Sequence, residues 1–410
     1  MLDIKFIREN SEIVEKASRD KGVTIDIKNL LKLDEGRRKF QTEVQDLQSK
    51  KNAIAKEKNV EEGKKIKEQL KSKEEALRKL DTQVSELLMQ IPNVAAFDVK
   101  IGKNEQENEI LRKHGEPTKF NFVPKDHQEL GETLDIIDIK RAAKVSGSRF
   151  GYLKNEGALL ELSLVQLAME TLVEEGFTPV IPPVLVTEKT MKGLGYLENE
   201  GRDDMFFLQK DGLFLVGTAE QSIVPMHSDE VFQKKDLPKR YVGFSTSFRR
   251  EAGSYGKDVR GILRVHQFNK VEMVSFVSPE EGDREHEYLL SLEEKLFQML
   301  EIPYQVVRMC TGDLGFPAAR KYDIEAWIPS QKKYREVTST STTTDFQSRR
   351  LNIKYQDAGQ RNYVHILNGT AFSGRPLIAI LENYQQRDGS VKIPEVLQKY
   401  TGFKTIKAKA

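Results

Sequence analysis

The stretch from the start of the chain to Ile91 constrains the fold more than any other part of the sequence. It contains no proline, and apolar side chains recur along it with the heptad spacing that two packed helices require. One series runs from Leu33 to Ile54, and a second runs from Ile66 to Ile91. Asn59–Gly63 suits a turn between them. We therefore expect helix throughout this stretch and an antiparallel coiled coil whose two helices each reach roughly 40 Å at ~1.5 Å per residue.

The outer half of this predicted arm is basic. Between Lys50 and Lys73, including Lys58, there are nine lysines and four glutamates. Helix faces of this composition are most often simply solvated. A basic rod beside a nucleotide site instead suits a phosphodiester backbone, where each neutralised phosphate releases counterions. Because Phe40 is the only aromatic residue of the arm and belongs to the seam, we expect the arm to recognise backbone or shape and not to stack on bases.

Composition excludes several other classes of protein. The chain of 410 residues carries 65 basic and 63 acidic side chains, so a nucleic acid must be met by a local patch. Cys310 is the single cysteine, which excludes an intramolecular disulfide and a cluster of thiolate ligands. The N-terminus carries Asp3 and Glu9 and has no apolar run, and no segment approaches the ~20 apolar residues of a membrane span. We expect a soluble, cytoplasmic protein with no membrane partner.

Irregular composition between Pro92 and Pro124 marks the end of the helical part. We expect an N-terminal helical domain over residues 1–105, its arm over about 28–91, and a catalytic domain over 106–410. Strands and helices are intermixed in the second part, which predicts an α+β domain around a mainly antiparallel sheet.

Periodicity and turn residues predict the elements of this domain. The predicted helices are Leu159–Glu175, Glu280–Leu300 on the surface, and Leu377–Gln385. The predicted strands are Leu213–Val216, Tyr304–Met309, Asp323–Ile328, Tyr334–Thr338 and His365–Gly369. Three prolines in Phe177–Val186 suit an edge strand, an interface segment or a plain connection. Gly253–Lys257 lacks the spacing of a phosphate-binding P-loop.

The stretch Phe248–Glu272, FRREAGSYGKDVRGILRVHQFNKVE, predicts a β-hairpin with functional side chains on one face. Its strands are predicted at Tyr241–Glu251 and Gly261–Val277, on either side of a loop broken by glycines. Alternation along these strands collects arginine, carboxylate and aromatic side chains on one face. That face suits a nucleotide bound beside an amino acid, and it equally suits a solvated, salt-bridged hairpin. Its residues are Arg249, Glu251, Arg264, His266, Phe268 and Glu272.

Three segments, in order, resemble the motifs of the class II aminoacyl-tRNA synthetases. GFTPVIPP from Gly176 resembles motif 1, the hairpin resembles motif 2, and GRPLIAILEN from Gly374 resembles motif 3. The long arm and four shorter segments make the whole chain similar to the bacterial type of seryl-tRNA synthetase. These segments are TAE at Thr218, TGDLGF at Thr311, TDFQSRR at Thr344 and NGT at Asn368.

This resemblance implies a class II antiparallel-sheet catalytic domain preceded by a coiled-coil arm, and a homodimer formed through motif 1. It implies activation of L-serine with ATP and Mg²⁺ to seryl-adenylate, then transfer of serine to the 3′ end of tRNA(Ser), and also of tRNA(Sec), whose variable arm the coiled coil would touch. Arg249, Arg375 and Glu336 would be catalytic, and Glu336 and Ser339 would hold Mg²⁺ through ATP. The residues implied for ATP are Arg249, Arg250, Glu251, Arg264, Val265, Phe268, Glu336, Val337, Thr338, Ser339 and Arg375. Those implied for serine are Thr218, Ala219, Glu220, Arg249, Glu272 and Thr370.

The chain departs from the family pattern in one segment. Where the family usually reads SSCSNCTDFQARR, this chain reads TSTSTTTDFQSRR over residues 338–350. Threonine at 340 and 343 replaces cysteine, which affects packing more than chemistry. The alternatives are a non-catalytic RNA-binding paralogue and a ligase that loads serine onto a carrier protein. The intact set of arginines and carboxylates disfavours the first, and the complete basic arm disfavours the second.

Overall fold

The structure, a computed structural model, describes three parts of the chain. They are residues 1–57, 59–252 and 260–408. The chain divides into two compact units, Met1–Val94 and Ala95–Ala410. Lys58 of the predicted basic patch and Gly253–Lys257 of the predicted hairpin loop lie outside the described residues. Among the described helices, none has the length and apolar character needed to cross a bilayer.

The first unit is helical. Its helices are α1 (Ile4–Glu9), α2 (Ser11–Asp20), α3 (Ile27–Glu57) and α4 (Val60–Met89). The prediction of unbroken helix is wrong at Asn10 and at Gly22, whose φ of 72° suits glycine. The predicted turn is too long, because Asn59 is already the N-cap of α4 and Gly63 lies inside that helix. The Asn59 side chain accepts a hydrogen bond from the backbone N–H of Glu62 at 3.3 Å, which starts the helix early.

The helices α3 and α4 pack against each other along the two heptad series. Val44, Ile66 and Val84 are buried in the seam. The cross-helix ion pairs are Arg37–Asp81 at 3.8 Å and Glu43–Lys73 at 2.6 Å. Residue numbers rise along α3 as their partners' numbers fall along α4, so the predicted antiparallel arrangement is confirmed.

A buried aspartate, which the sequence analysis did not predict, joins α1 to α3. The Asp34 side chain is fully buried and meets Arg37 at 2.7 Å, Arg38 at 3.3 Å and Arg8 of α1 at 3.6 Å. A buried carboxylate needs such partners because removal from water disfavours its charge.

The second unit mixes helices and strands. Its helices are α5 (His127–Thr133), α6 (Ile139–Ser146), α7 (Asn155–Glu174), α8 (Glu188–Leu194), α9 (Glu220–Ile223), α10 (Gly282–Met299), α11 (Phe346–Leu351), α12 (Arg375–Asn383) and α13 (Glu395–Thr401). Its strands are β1 (Glu109–His114), β2 (Ile137–Asp138), β3 (Tyr152–Leu153), β4 (Thr178–Val180), β5 (Leu185–Thr187), β6 (Phe207–Leu208), β7 (Leu213–Leu215), β8 (Val231–Gln233), β9 (Lys239–Phe248), β10 (Gln267–Val277), β11 (Tyr304–Arg308), β12 (Arg320–Ile328), β13 (Lys333–Thr344), β14 (Lys354–Asp357), β15 (Gln360–Tyr363), β16 (His365–Phe372), β17 (Val391–Lys392) and β18 (Thr405–Ile406).

The largest sheet within the described residues has eight strands in the order β1-β11-β12-β13-β16-β10-β9-β4. Its pairs are antiparallel except β4–β9. Together with the helical first unit, this confirms the α+β class. The strand β4 contains Pro179 and lies at the edge, because proline cannot donate to a neighbour on both sides. Leu164 of α7, Leu296 of α10 and Ile380 of α12 belong to the main apolar core with the sheet.

The structure corrects four predicted elements, which are three strands of this sheet and one helix that packs on it. The strands β9 and β10 are shorter than predicted, so Glu251 and Arg264 lie beyond regular pairing. The strand β13 is longer, because the Ser/Thr run continues it to Thr344. The predicted surface helix, α10, has a deeply buried inner face that includes the fully buried polar side chains of His286 and Glu293.

Candidate active site

A cavity of about 640 Å³ opens between β9, β10, β13, β16 and the start of α12. Its size is in the range of pockets that enclose small organic ligands. Most of the site residues predicted from the sequence line it. These are Thr218, Glu220, Arg249, Glu251, Arg264, Val265, Phe268, Glu272, Glu336, Val337, Thr338, Ser339, Thr370 and Arg375.

Arg249 follows the last residue of β9 and lies beside the aromatic ring of the cavity. Its guanidinium carbon is 5.5 Å from the centroid of the Phe268 ring, and Nη2 donates to the Gly217 carbonyl at 3.3 Å. A planar guanidinium held in this way can donate to two oxygens of one phosphate or carboxylate.

His266 does not share the face of the other hairpin residues. Its Nδ1 is 2.9 Å from the carbonyl oxygen of Arg249, and its ring packs against Phe150 and Phe206 at 5.3 and 5.8 Å. The predicted alternation fails here because the paired strands end at Phe248 and begin again at Gln267.

Glu251 and Arg264 form an ion pair at the hairpin end of the cavity. Arg264 Nη1 is 3.1 Å from Glu251 Oε2. The φ of Glu251 is 51°, and Arg149 donates to its carbonyl oxygen at 2.8 Å. Because Glu251 has a left-handed backbone conformation, its side chain points in a different direction from that of a residue in a regular strand.

A β-bulge in β13 places two oxygen donors on one side of the sheet. Ser339 pairs with Asp323, and Glu336 pairs with Glu325, so Val337 is the extra residue. Because Asp323 and Glu325 share a face of β12, Ser339 and Glu336 share the same face although they are three positions apart. A carboxylate and a hydroxyl thus face the same region.

Arg375 begins α12 and holds Glu336. Its Nη1 donates to the Glu336 carbonyl at 2.9 Å and pairs with the carboxylate at 2.9 Å. Burial alone would raise the pKa of Glu336, but the charges of Arg375, Lys321 and Arg249 outweigh it and hold that pKa well below its ordinary value. Lys321, which the sequence analysis missed, pairs with Asp323 at 3.1 Å. This end of the cavity therefore presents cations and a permanently ionised carboxylate.

Lys270 is a second functional side chain that the sequence analysis missed. It is buried, and its Nζ lies 2.6 Å from Glu272 Oε2 and 3.1 Å from Thr218 Oγ1. Thr370 is the partner of Glu272 across β10 and β16. Alternate residues of a strand share a face, so Lys270 lies on the same face as Phe268 and Glu272, and its position on that face could have been predicted from the sequence.

Glu220 begins α9 and is buried at the same end of the cavity. Its carboxylate accepts from Gln347 Nε2 at 2.9 Å and from the Tyr196 hydroxyl at 2.9 Å. Burial raises the pKa of Glu220, while these two hydrogen bonds oppose the rise.

Two of the predicted site residues do not line the cavity. Ala219 is fully buried in the core behind it. Arg250 donates through Nε to the Met205 carbonyl at 2.8 Å and lies 4.6 Å over the Phe206 ring. These contacts anchor the hairpin and do not face the pocket.

Three of the four threonines that depart from the family pattern make buried hydrogen bonds. Thr338 donates to Glu293 at 3.0 Å, Thr340 donates to the Asn368 carbonyl at 2.9 Å, and Thr343 Oγ1 lies 3.0 Å from the Ile366 carbonyl. Each hydroxyl is accommodated, so the substitutions leave the cavity lining intact.

Comparison with known proteins gives matches over the whole chain. The seryl-tRNA synthetase N-terminal domain matches residues 1–95, and the tRNA synthetase class II core domain (G, H, P, S and T) matches residues 207–384. A serine--tRNA ligase of Thermobifida fusca is 44% identical over 98% of each chain. One of Thermodesulfovibrio yellowstonii is 42% identical over 99% of this chain and 100% of its own.

Solved structures agree with these matches. The seryl-tRNA synthetase of Pyrococcus horikoshii complexed with ATP is 41% identical, covers 100% of both chains and superposes with a TM-score of 0.94. The cytoplasmic serine-tRNA ligase of Naegleria fowleri in complex with AMP is 32% identical over 100% of this chain and 99% of its own, with a TM-score of 0.90. The chain belongs to the seryl-tRNA synthetase family.

Proposed function

We propose that this chain is a serine--tRNA ligase that activates L-serine with ATP to seryl-adenylate, releases pyrophosphate and transfers serine to the 3′ end of tRNA(Ser). One observation carries the proposal. A single cavity holds arginines at one end and buried Thr, Glu and Lys side chains at the other, in a chain related over its whole length to serine--tRNA ligases.

ATP would occupy the end of the cavity between the hairpin and α12. Phe268 offers a half-buried ring face for the base, with Arg249 already beside it at 5.5 Å. Arg249 would grip the α-phosphate together with the serine carboxylate, and Arg375 would grip the γ-phosphate. Arg264 and Val265 would flank the base, and Glu251 would accept from its amino edge.

Glu336 and Ser339 would hold Mg²⁺ that arrives with ATP. They fit this ion because the bulge at Val337 turns two oxygen donors to one side of the sheet. Mg²⁺ in such sites takes one or two protein ligands and completes its shell with phosphate oxygens and water. When bound, the ion draws negative charge from the phosphates.

Activation brings two anions together, since the serine carboxylate attacks the α-phosphate in line with the departing pyrophosphate. The chain's contribution is therefore to fix cations and to align the reactants, and no general base is needed. Arg249 serves both reactants, and the cations near Glu336 keep that carboxylate ionised throughout.

The serine end of the cavity would recognise the hydroxyl and the ammonium group. Thr218, Glu220, Glu272 and Thr370 would make these contacts. A pocket that hydrogen-bonds a substrate hydroxyl leaves buried polar groups unpaired when alanine enters, which gives strong rejection. Threonine has to be rejected by shape, which is a weaker device.

The basic arm formed by α3 and α4 would bind tRNA(Ser). The lysines of residues 50–73 outnumber the glutamates there nine to four, which suits contact with phosphates. Serine is then passed to the terminal ribose at the cavity.

A second copy of the chain would pack on the motif 1 region. Leu159 and Leu162 on α7 are 49% and 58% exposed, and Ile181 just after β4 is 85% exposed. Large exposed apolar side chains one helical turn apart, as Leu159 and Leu162 are, are typical of a protein contact, and a homodimer is the partner we propose.

The test is amino-acid-dependent exchange of pyrophosphate into ATP, with Mg²⁺ and without tRNA, across the twenty amino acids. Exchange with serine alone supports the proposed activation step. A folded protein that binds tRNA and supports no exchange would instead be the non-catalytic paralogue.

A further inference from the structure

Tyr196 enters the cavity from a loop that the motifs do not include. The helix α8 ends at Leu194, and Gly195, with φ of 85°, turns the chain so that the next side chain lines the cavity. The Tyr196 hydroxyl lies 2.9 Å from Glu220 Oε2. A half-buried phenol thus reaches a fully enclosed carboxylate.

The loop that carries Tyr196 is fixed to α11 by a buried arginine. Arg350 Nη1 donates to the Lys192 carbonyl at 2.9 Å and pairs with Glu198 at 2.7 Å. Its guanidinium also lies 4.6 Å over the ring of Phe346. The loop is therefore held on both sides of Tyr196.

The other oxygen of Glu220 is fixed from the same helix. Gln347 Nε2 lies 2.9 Å from Glu220 Oε1, and Gln347 Oε1 lies 3.3 Å from Thr343 Oγ1. Each oxygen of the carboxylate therefore has one donor from the chain, and the side chain cannot rotate without losing both.

The proton between Tyr196 and Glu220 stays on the phenol. Burial and the neighbouring Glu220 raise the pKa of Tyr196 well above its ordinary value, so the hydroxyl remains a donor. The other charged groups that face this pair are Glu272, Lys270 and Arg249. Of these, Lys270 is already paired with Glu272 at 2.6 Å.

We infer that Tyr196 is a positioning residue for the amino-acid substrate: its hydroxyl orients Glu220, so that Glu220 can receive the ammonium or hydroxyl group of serine. This inference rests on the proposed serine--tRNA ligase function. It assigns substrate recognition to a residue of the loop after α8, outside the three motifs. A carboxylate has about four acceptor positions, so the two chain donors leave others for the substrate.

The test compares the full-length protein with Tyr196→Phe in pyrophosphate exchange. This variant removes the hydroxyl and keeps the ring. A hydrogen bond to a charged group is worth roughly a 10- to 100-fold effect, so the KM for serine should rise about 10-fold or more while the KM for ATP stays within twofold.

The pH dependence gives a readout that a purely structural defect would not produce. Without the phenol donor, Glu220 is more readily protonated, so the serine KM of Tyr196→Phe should fall with rising pH more steeply than that of the wild type. Arg350→Lys weakens the contacts that hold the loop at Lys192 and Glu198 and changes no residue that lines the cavity. We expect it to raise the serine KM as well.

Tyr241→Phe is the matched control. The Tyr241 hydroxyl lies 2.9 Å from His227 Nε2, a partly buried contact away from the cavity. This variant should leave both KM values unchanged. An unchanged serine KM in Tyr196→Phe, or equal rises in both KM values, would overturn the inference. A wild-type protein without serine-dependent exchange would overturn the proposed function itself.

Discussion

At the scale of single residues, Lys270 balances part of the negative charge that buried glutamates bring to the site. Three glutamates, Glu220, Glu272 and Glu293, are at most 2% exposed in the same part of the second unit. Burial raises the pKa of Glu293 well above its ordinary value, and the nearby Glu272 adds to the rise. One buried lysine paired with Glu272 cannot balance all three, so part of the negative charge must be neutralised by protons or by a cationic ligand.

The role of Arg249 can be tested by removing its guanidinium. Arg249→Ala should lower serine-dependent pyrophosphate exchange by about 100-fold or more, since a lost donor to developing charge commonly costs that much. Arg284→Ala, whose wild-type side chain is 85% exposed, serves as the control and should exchange normally. Near-normal turnover by Arg249→Ala would mean that the α-phosphate lies elsewhere.

Glu161 gives a prediction about stability and pH. It is buried on α7, accepts a hydrogen bond from Asn269, and burial raises its pKa from 4.5 to about 7. Between these values the folded protein binds more protons than the unfolded chain, so this group's contribution to stability falls as pH rises from about 4.5 to 7.

Glu161→Gln should remove that loss. We expect its free energy of unfolding to exceed that of the wild type by about 1–3 kcal/mol at pH 8 and to differ little at pH 5. Denaturant titrations at the two pH values measure this difference. Glu174→Gln, at an exposed position of the same helix, is the control. A gain of equal size at both pH values would contradict the assignment.

The residue types in the sequence were enough to predict the site residues of the motifs, but not the residues that contact and position them. Arg249, Phe268 and Glu272 could be named from the hairpin pattern, and all three line the cavity. Tyr196 and Lys270 could not be assigned roles by that reasoning. Tyr196 depends on a turn at Gly195, and a lysine in a strand suggests a solvated position unless its burial is known.

At the scale of secondary-structure elements, the two helices of the arm could be predicted because the heptad pattern is long and contains no proline. The helices α3 and α4 lie close to the predicted bounds. The bulge at Val337 could not be predicted. An extra residue shifts the alternation of polar and apolar side chains, and a Ser/Thr-rich segment has no such alternation to shift. The ends of β9 and β10 were overestimated for a related reason: the polar pattern continues past the last paired residue.

The arm can be shortened without opening its seam. Gln48 of α3 meets Glu74 of α4 at 3.5 Å, so Asn52 and Lys71 stand near each other and a short glycine linker can replace residues 53–70. We expect charging of tRNA(Ser) to be abolished and serine-dependent exchange to stay within about twofold, because the deletion removes the basic outer part of the arm and no residue that lines the cavity.

Neutralising lysines is the control for the deletion. Replacing Lys64, Lys65 and Lys67 with glutamine keeps the helices and should weaken tRNA binding, relative to the wild type, more at low salt than at high salt, because fewer counterions are released. Equal loss of exchange and charging in the shortened protein would argue against separate roles for the two units.

At the scale of the whole molecule, the proposed homodimer depends on apolar side chains that face solvent in a single chain. Leu162→Glu should convert the dimer to a monomer at micromolar concentration, because a charge would be buried in the contact. Sedimentation equilibrium measures the change. Ile13→Glu, at a 54% exposed position on α2, should remain dimeric. A monomeric wild type would refute the dimer.

The order of strands in the eight-stranded sheet has a consequence for synthesis of the protein. The strand β16, one of the last to be translated, lies between β13 and β10. Until it leaves the ribosome, the two halves of the sheet exist with unpaired inner edges, and such edges are prone to pair with other chains. Arg375 lies three residues after the end of β16, so the nascent chain completes its sheet and its cavity almost together. A product that ends before His365 would be prone to aggregation and to degradation.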